Sequence, residues 1–155
     1  ARKAKLLRNQ GMEVRYQNEV VGFNNRMTDI HAAIGRVQLG KLRERTVRRQ
    51  ANASYLSENL SVVITPVKSS DVDHVFHQYT IKTENRDQLS DYLTQSNIGN
   101  GVYYPTPVHE LPSFGKQINL PNTRTVAQQA LSIPVHPLLD QAELERIVEV
   151  INAWN

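Results

Sequence analysis

Residues 28–60 constrain this chain more than any other segment. Ile30, Ala33, Ile34 and Val37 recur at helical spacing, and Leu39, Leu42, Thr46, Ala53, Leu56 and Leu60 continue the pattern with a seven-residue tendency. Thr28 is placed to cap such a helix, and the Asp29 carboxylate suits the positive end of its dipole. A helix of about 30 residues is roughly 45 Å long at its usual rise per residue. That exceeds the width of a compact domain of this chain's size, so part of the helix is expected to lean on something else. A bend near Gly35 or Gly40 is the alternative.

The 155 residues, 39% hydrophobic and 21% charged, suit a soluble globular chain. The uncharged apolar runs, such as Val62-Val63-Ile64, fall far short of the roughly 20 residues that cross a bilayer, so no membrane span is expected. Without cysteine there is no disulfide framework, cysteine nucleophile or thiolate metal site, and a reducing, cytoplasmic home is the default expectation. Charge is unevenly spread. Residues 1–50 carry twelve Lys or Arg against four acids, net +8, and residues 51–155 carry six against eleven, net −5. The cluster Arg36, Lys41, Arg43, Arg45, Arg48 and Arg49 reads either as a phosphate-contacting surface or as a solvated helix face. The absence of interleaved aromatics and the return of acids downstream favour the face, and no nucleic-acid partner is expected.

Residues 1–10 read as a helix stopped by a left-handed cap at Gly11. No capping side chain precedes that helix, which suggests that residue 1 lies inside a longer polypeptide. Residues 16–25 are expected to be extended. Residues 72–83 read as a strand with Val75, His77, Tyr79 and Ile81 on one face and His74, Phe76, Gln78 and Thr80 on the other. Asn85 with Gln88 resembles a capping box for a helix to about Ser96, with Leu89, Tyr92 and Leu93 inward. Residues 99–104 read as a short strand, followed by an irregular loop punctuated by Pro105, Pro107, Pro112 and Gly115. Asn122 or Thr123 would cap a helix ending near Leu131, with Ile133 and Val135 in a brief strand. Asp140 with Glu143 would box the start of a final helix to about Trp154. This order favours an α+β architecture, a small antiparallel or mixed sheet with helices on one face and a long leading helix.

Three groups of residues could carry chemistry. His74 and His77, three apart on a strand, face opposite ways and so make no two-ligand metal site; no metal is expected, and His31 reads as a packing or surface residue. The segment from Tyr103 to Phe114 gathers two tyrosines, His109 and Glu110 between prolines beside a strand end, as a ligand loop or as an aromatic–proline packing cluster. Asn24 and Arg26, in the turn before the long helix, could hydrogen-bond a phosphate, or the turn could serve capping alone.

The order of the motifs carries a resemblance. Leu7-Arg8-Asn9-Gln10-Gly11, Gly22-Phe23-Asn24-Asn25-Arg26-Met27-Thr28-Asp29-Ile30, and Ala32-Ala33-Ile34-Gly35 with Gln38-Leu39 are followed by His77-Gln78-Tyr79, Tyr103-Tyr104-Pro105 with His109, Leu120-Pro121, and Leu131-Ser132-Ile133-Pro134-Val135-His136-Pro137. Together they resemble the C-terminal half of the DegT/DnrJ/EryC1/StrS family of pyridoxal-phosphate sugar aminotransferases. The resemblance implies a fold-type I enzyme whose large N-terminal domain carries the cofactor and the lysine that holds it. It divides the chain into residues 1–27 as a remnant of the large domain and inter-subunit loop, 28–60 as the connecting helix, and 61–155 as the small domain.

The resemblance further implies that Asn24 and Arg26 bind pyridoxal 5'-phosphate across a homodimer interface. His77, Tyr104 and His109 would lie near the entrance for a nucleotide-sugar substrate. Asn25 stands where the family usually has an aromatic residue. None of Lys3, Lys5, Lys41, Lys68, Lys82 and Lys116 occupies the context of the cofactor-bearing lysine, so no catalytic residue is expected in this chain and catalysis by it alone is not expected. Glutamate is the amine donor by the same analogy. A dehydratase of the same family, a non-catalytic small-molecule-binding or interaction domain over residues 72–104, and a nucleic-acid-binding helix are the competing readings.

Overall fold

The computed structural model describes residues 1–114 and 118–154; Gly115 and Lys116 lie outside the described residues. It has two compact units, Ala1–Arg43 and Glu44–Asn155. The first holds α1 (Arg2–Arg8), a folded-back loop and the start of α2 (Asp29–Asn59), which runs on into the second. The second continues with β1 (Tyr79–Lys82), α3 (Arg86–Gln95), a 3-10 turn (Val108–Glu110), α4 (Pro121–Gln129), β2 (Ala130–Ile133) and α5 (Gln141–Asn152).

The long helix forms as its periodicity predicts and runs unbroken through Gly35 and Gly40. Thr28 caps it: its Oγ1 accepts from the His31 backbone N–H at 3.3 Å and its carbonyl from Ala32 N–H at 2.9 Å. Its apolar residues divide along the axis. Ala53, Leu56 and, just beyond the helix end, Leu60 are buried, whereas Ile30, Ile34, Val37, Leu39 and Leu42 are exposed.

In the second unit, β1 and β2 pair antiparallel with Tyr79 opposite Ile133, Thr80 opposite Ser132, Ile81 opposite Leu131 and Lys82 opposite Ala130. Single bridges extend the sheet on both sides, Ile64 to Lys82 and Gly101 to Ser132. Because facing residues share a face, Tyr79, Ile81, Leu131 and Ile133 form one apolar surface. It packs with Ala53, Leu56 and Leu60, with Leu89 and Leu93 of α3, and with Leu144, Ile147 and Ile151 of α5. On the opposite face Thr80 Oγ1 and Ser132 Oγ share a hydrogen bond of 2.9 Å.

Several local expectations are corrected. The strand over residues 72–83 is confined to Tyr79–Lys82. Phe76 adopts a left-handed φ of 44°, and its N–H is taken by His74 Nδ1 at 3.0 Å, so the alternation breaks and Phe76 is buried instead of His77. Asn85 occupies the N-cap of α3 without a side-chain cap, so no capping box forms there. Arg86, unremarked in the sequence, is buried instead, its Nη1 donating to Ala127 O at 3.2 Å and Ala130 O at 3.4 Å. It thereby satisfies carbonyls at the C-terminal end of α4, where a cation also complements the dipole. That helix starts at Pro121, with no side-chain cap from Asn122 or Thr123: proline at the first helical position has a fitting φ and gives up no needed donor. It stops at Gln129, and the strand is residues 130–133, earlier than expected, because Ser132 must pair with both Thr80 and Gly101. Residues 99–104 contribute only the Gly101 bridge. The box at α5 forms as expected, with Glu143 N–H donating to Asp140 Oδ1 at 2.8 Å and Asp140 N–H to Glu143 Oε2 at 2.9 Å.

Leu56 has no exposed surface at the junction of α2 with the sheet. Leu56→Ala is expected to lower unfolding free energy by about 2–5 kcal/mol in urea titrations; a loss under about 1 kcal/mol would place it outside the core. Burial pushes the Tyr79 phenol above its ordinary 10.0, opposed by its 2.8 Å hydrogen bond with Ser57 Oγ. The folded chain therefore keeps this proton at a pH where the unfolded chain has lost it, so the stability it contributes is complete below pH ~10 and declines as pH rises above that. Tyr79→Phe is expected to flatten the alkaline decline measured by denaturant titration, and an unchanged slope would refute the assignment.

Candidate functional site

In the first unit, two glycines fix the path of the polar turn. Gly11 has φ +75°, and a Cβ there would stand 1.7 Å from Val20 O; a Cβ on Gly22 would stand 2.2 Å from Gly11 N. Gln10, also left-handed at φ 56°, reverses the chain after α1, and Gly11 N–H returns to Leu6 O at 2.8 Å. This close approach lays residues 22–25 along the end of α1, where Phe23 N–H donates to Leu7 O at 2.6 Å and Asn25 N–H to Arg8 O at 2.8 Å. Two carbonyls that helix ends leave without partners are satisfied in this way. Arg2 holds the intervening loop through Glu13 and Glu19, both at 2.6 Å.

On this base Arg26 Nε donates to Asn24 Oδ1 at 3.0 Å, and both side chains are exposed. The contact uses the amide oxygen of Asn24 and one guanidinium N–H, so that among the described residues Asn24 Nδ2 and the Arg26 Nη groups remain as donors on exposed side chains. Such a set suits an oxyanion. His31 makes a 3.0 Å contact with Thr28 Oγ1 and serves the helix start.

In the second unit, a cleft of about 840 Å³ lies between the loop after Gly101 and α4. Tyr103, Tyr104, Pro107 and Leu111 line one wall, and Thr123, Val126, Ala127 and Ala130 the other. Ala130 reaches it from the sheet face opposite the core. Among the described residues, no charged side chain lines it. The Tyr103 ring lies over Gly101, where a Cβ would come within 2.7 Å of its hydroxyl, and it meets Tyr104 edge-on at 5.8 Å.

Of the sequence candidates, Tyr104 is exposed and lines this cleft. His109 is not among the lining residues: its side chain is 11% exposed, with Nε2 buried, without a hydrogen-bond partner among the described residues and 3.5 Å from Glu110 Oε1. An unpaired buried polar atom costs about 1–3 kcal/mol, which marks it as a point of interest. His77 is exposed just before β1 and is not among the cleft residues. Thus Asn24 and Arg26 are brought together, while His77, Tyr104 and His109 occupy three different settings. The sequence reading missed Arg124, whose Nε and Nη2 both donate to Glu110 Oε1, at 2.9 and 2.7 Å. It also missed Asn52, buried on α2 with its Nδ2 donating to His136 O at 2.9 Å. A polar residue within an apolar helical stripe was the available signal for Asn52; the Arg124–Glu110 pairing left none. The described residues contain no group of three or more metal-ligating side chains and no helix long and apolar enough to cross a membrane.

The model of the DegT/DnrJ/EryC1/StrS aminotransferase family matches residues 1–152. The chain belongs to this family. It is 34% identical over 161 residues to dTDP-3-amino-3,4,6-trideoxy-alpha-D-glucose transaminase of Streptomyces venezuelae, covering 99% of the chain and 42% of that enzyme. It is also 34% identical to a pleiotropic regulatory protein of Geobacillus stearothermophilus, covering 97% of the chain and 43% of that protein. Among solved structures it superposes with a TM-score of 0.90 on S. venezuelae DesV in complex with a ketimine intermediate, at 32% identity, over 99% of the chain and 43% of DesV. The fold is thus that of fold-type I sugar aminotransferases over the matched part, and the chain spans less than half the length of these relatives.

In this family member, the Gly22–Gly11 contact is backbone against backbone and has no flexible side chain to yield. Gly22→Ala is expected to cost about 1–3 kcal/mol in thermal or urea unfolding and to raise hydrogen exchange at Phe23 and Asn25. Wild-type protection at those two amides would show that the approach does not hold the turn.

Proposed function

We propose that this chain is the C-terminal part of a pyridoxal-phosphate-dependent aminotransferase that acts on a nucleotide-linked keto sugar, with glutamate as amine donor, and that works as a cytoplasmic homodimer. The observation that carries this reading is the family match over residues 1–152, supported by the likeness to a dTDP-sugar transaminase along 99% of the chain.

The donor set of the turn supports a cofactor role. Asn24 Nδ2 and the Arg26 guanidinium, fixed by their mutual 3.0 Å hydrogen bond, fit the phosphate of pyridoxal 5'-phosphate. In the dimer they would hold that group for the neighbouring subunit. The cofactor, when bound, supplies the electron sink that amine transfer needs. The chain's own residues bind and orient. The tyrosine-walled cleft, with Tyr104 in its lining, would receive part of the nucleotide sugar, and fixed walls lower the entropy lost on binding; His77 and His109, which do not line it, keep their substrate role by family resemblance alone. The exposed apolar residues of α2, Ile30, Ile34, Val37 and Leu42, support burial against further protein in the assembled enzyme.

None of the chain's six lysines lies in the context of the cofactor-bearing lysine, so amine transfer requires the large domain. In the enzyme that contains this chain, Asn24→Ala is expected to weaken pyridoxal-phosphate retention about tenfold or more, the loss of one hydrogen bond to a charged group. Cofactor release during dialysis, followed by absorbance, measures it. Unchanged retention would remove Asn24 from the cofactor site, and robust amine transfer by the chain without its large domain would overturn the reading as a whole.

A further inference from the structure

The cleft's two walls come from separate parts of the chain, and the Arg124–Glu110 contact joins them. Glu110 stands in the loop wall between the lining residues Val108 and Leu111; Arg124 stands in α4 between the lining residues Thr123 and Val126. Two guanidinium N–H groups converge on one carboxylate oxygen, Oε1, at 2.7 and 2.9 Å. The same oxygen lies 3.5 Å from the buried Nε2 of His109, and this nitrogen has no hydrogen-bond partner among the described residues. The 3-10 turn beneath them is closed by Glu110 N–H to Pro107 O at 2.9 Å and Leu111 N–H to Val108 O at 3.2 Å.

We infer that Arg124 and Glu110 are positioning residues for substrate binding: their forked contact latches the tyrosine-bearing wall to α4 and sets the width of the cleft, with Glu110 Oε1 held 3.5 Å from His109 Nε2. The inference rests on the reading of the cleft as a receiver of the nucleotide sugar, and it assigns to two residues outside the site set a role exerted through others. The planar fork matters because a lysine in place of Arg124 would offer a point charge and no paired geometry. The partial exposure of both side chains, 48% and 32%, makes the pair weak as a source of global stability. Its removal should therefore loosen the wall without unfolding the chain.

The test uses the ¹⁵N-labelled chain and, in parallel, the assembled enzyme. Arg124→Gln and Glu110→Gln are each expected to speed hydrogen exchange at the Glu110 and Leu111 amides by about tenfold, to move the His109 imidazole ¹⁵N resonances, and to show no further change when combined. Arg124→Lys should restore part of both signals. In the assembled enzyme, with its nucleotide-linked keto sugar as the varied substrate, the Gln variants should raise KM by more than they lower kcat. Unchanged exchange and imidazole signals, or strictly additive effects, would show that no latch exists. A latch that forms while KM stays at its wild-type value would overturn the positioning role. If Tyr104→Ala likewise leaves KM unmoved, the reading of the cleft as a substrate site fails, an outcome separate from the latch itself.

Discussion

The pairing of β1 with β2 decides how the second unit is built. Four facing pairs are enough because each residue's side is fixed once Tyr79 meets Ile133. A slip of β1 by one position against β2 would turn Tyr79 and Ile81 away from the face that Leu131 and Ile133 share with them and bring Thr80 into it. The cost of that exchange is twofold, since Tyr79 and Ile81 would lose their cover and the Thr80 hydroxyl, now bonded to Ser132 Oγ at 2.9 Å, would enter an apolar interior without that partner. The same register places Ala130 on the face away from the core, where it becomes part of the cleft floor. It also determines that the Ala130 carbonyl meets Arg86, so the buried guanidinium links α3 to the junction of α4 and β2.

The first unit depends on close backbone contact in place of a large core. Leu6 is its buried hydrophobic residue among those described. Its order comes from Gly11 and Gly22 lying back to back and from helix-end carbonyls accepting the N–H groups of Phe23 and Asn25. These contacts restrict the backbone of residues 22–25 and so confine the Asn24 and Arg26 side chains. In the proposed reading, this is what prepares the donors for an anion, because groups already held lose less freedom when it binds.

What could be read from the sequence follows from how local each signal is. The long helix, its Thr28 cap and the Asp140–Glu143 box depend on residues within one or two turns of each other, and all three stand as read. The left-handed stop at Gly11 was also legible, although Gln10 shares the left-handed conformation with it. The strand over residues 72–83 failed because alternation is blind to a single left-handed residue, and Phe76 is one. Asn85 and Gln88 had the spacing of a capping box, yet the neighbouring Arg86 is drawn into the interior by carbonyls some forty residues away. No local pattern encodes such a partner. Among the site candidates, the pairing of Asn24 with Arg26 was within reach of sequence reasoning, whereas the distance of Glu110 from Arg124 depends on how the proline loop folds against α4.

In the proposed reading, the chemistry of a nucleotide sugar gives donors and apolar surface different tasks. Its phosphates require N–H donors and cations, while a ring face or a deoxy carbon gains more from surfaces that give up water readily. The cleft's lining carries no charge among the described residues, and the nearest pair, Arg124 with Glu110, neutralises itself across the walls. A phosphate would gain little there. An uncharged portion of a substrate would meet tyrosine edges, prolines and alanines without displacing bound ions. Exposed Arg26 and Asn24 have the opposite character, with little apolar surface of their own and further N–H donors on exposed side chains. In the proposed reading the two regions therefore suit different parts of the reacting molecules, and each has its backbone order secured within its own unit, at the glycine contact in the first and in the four-pair register in the second.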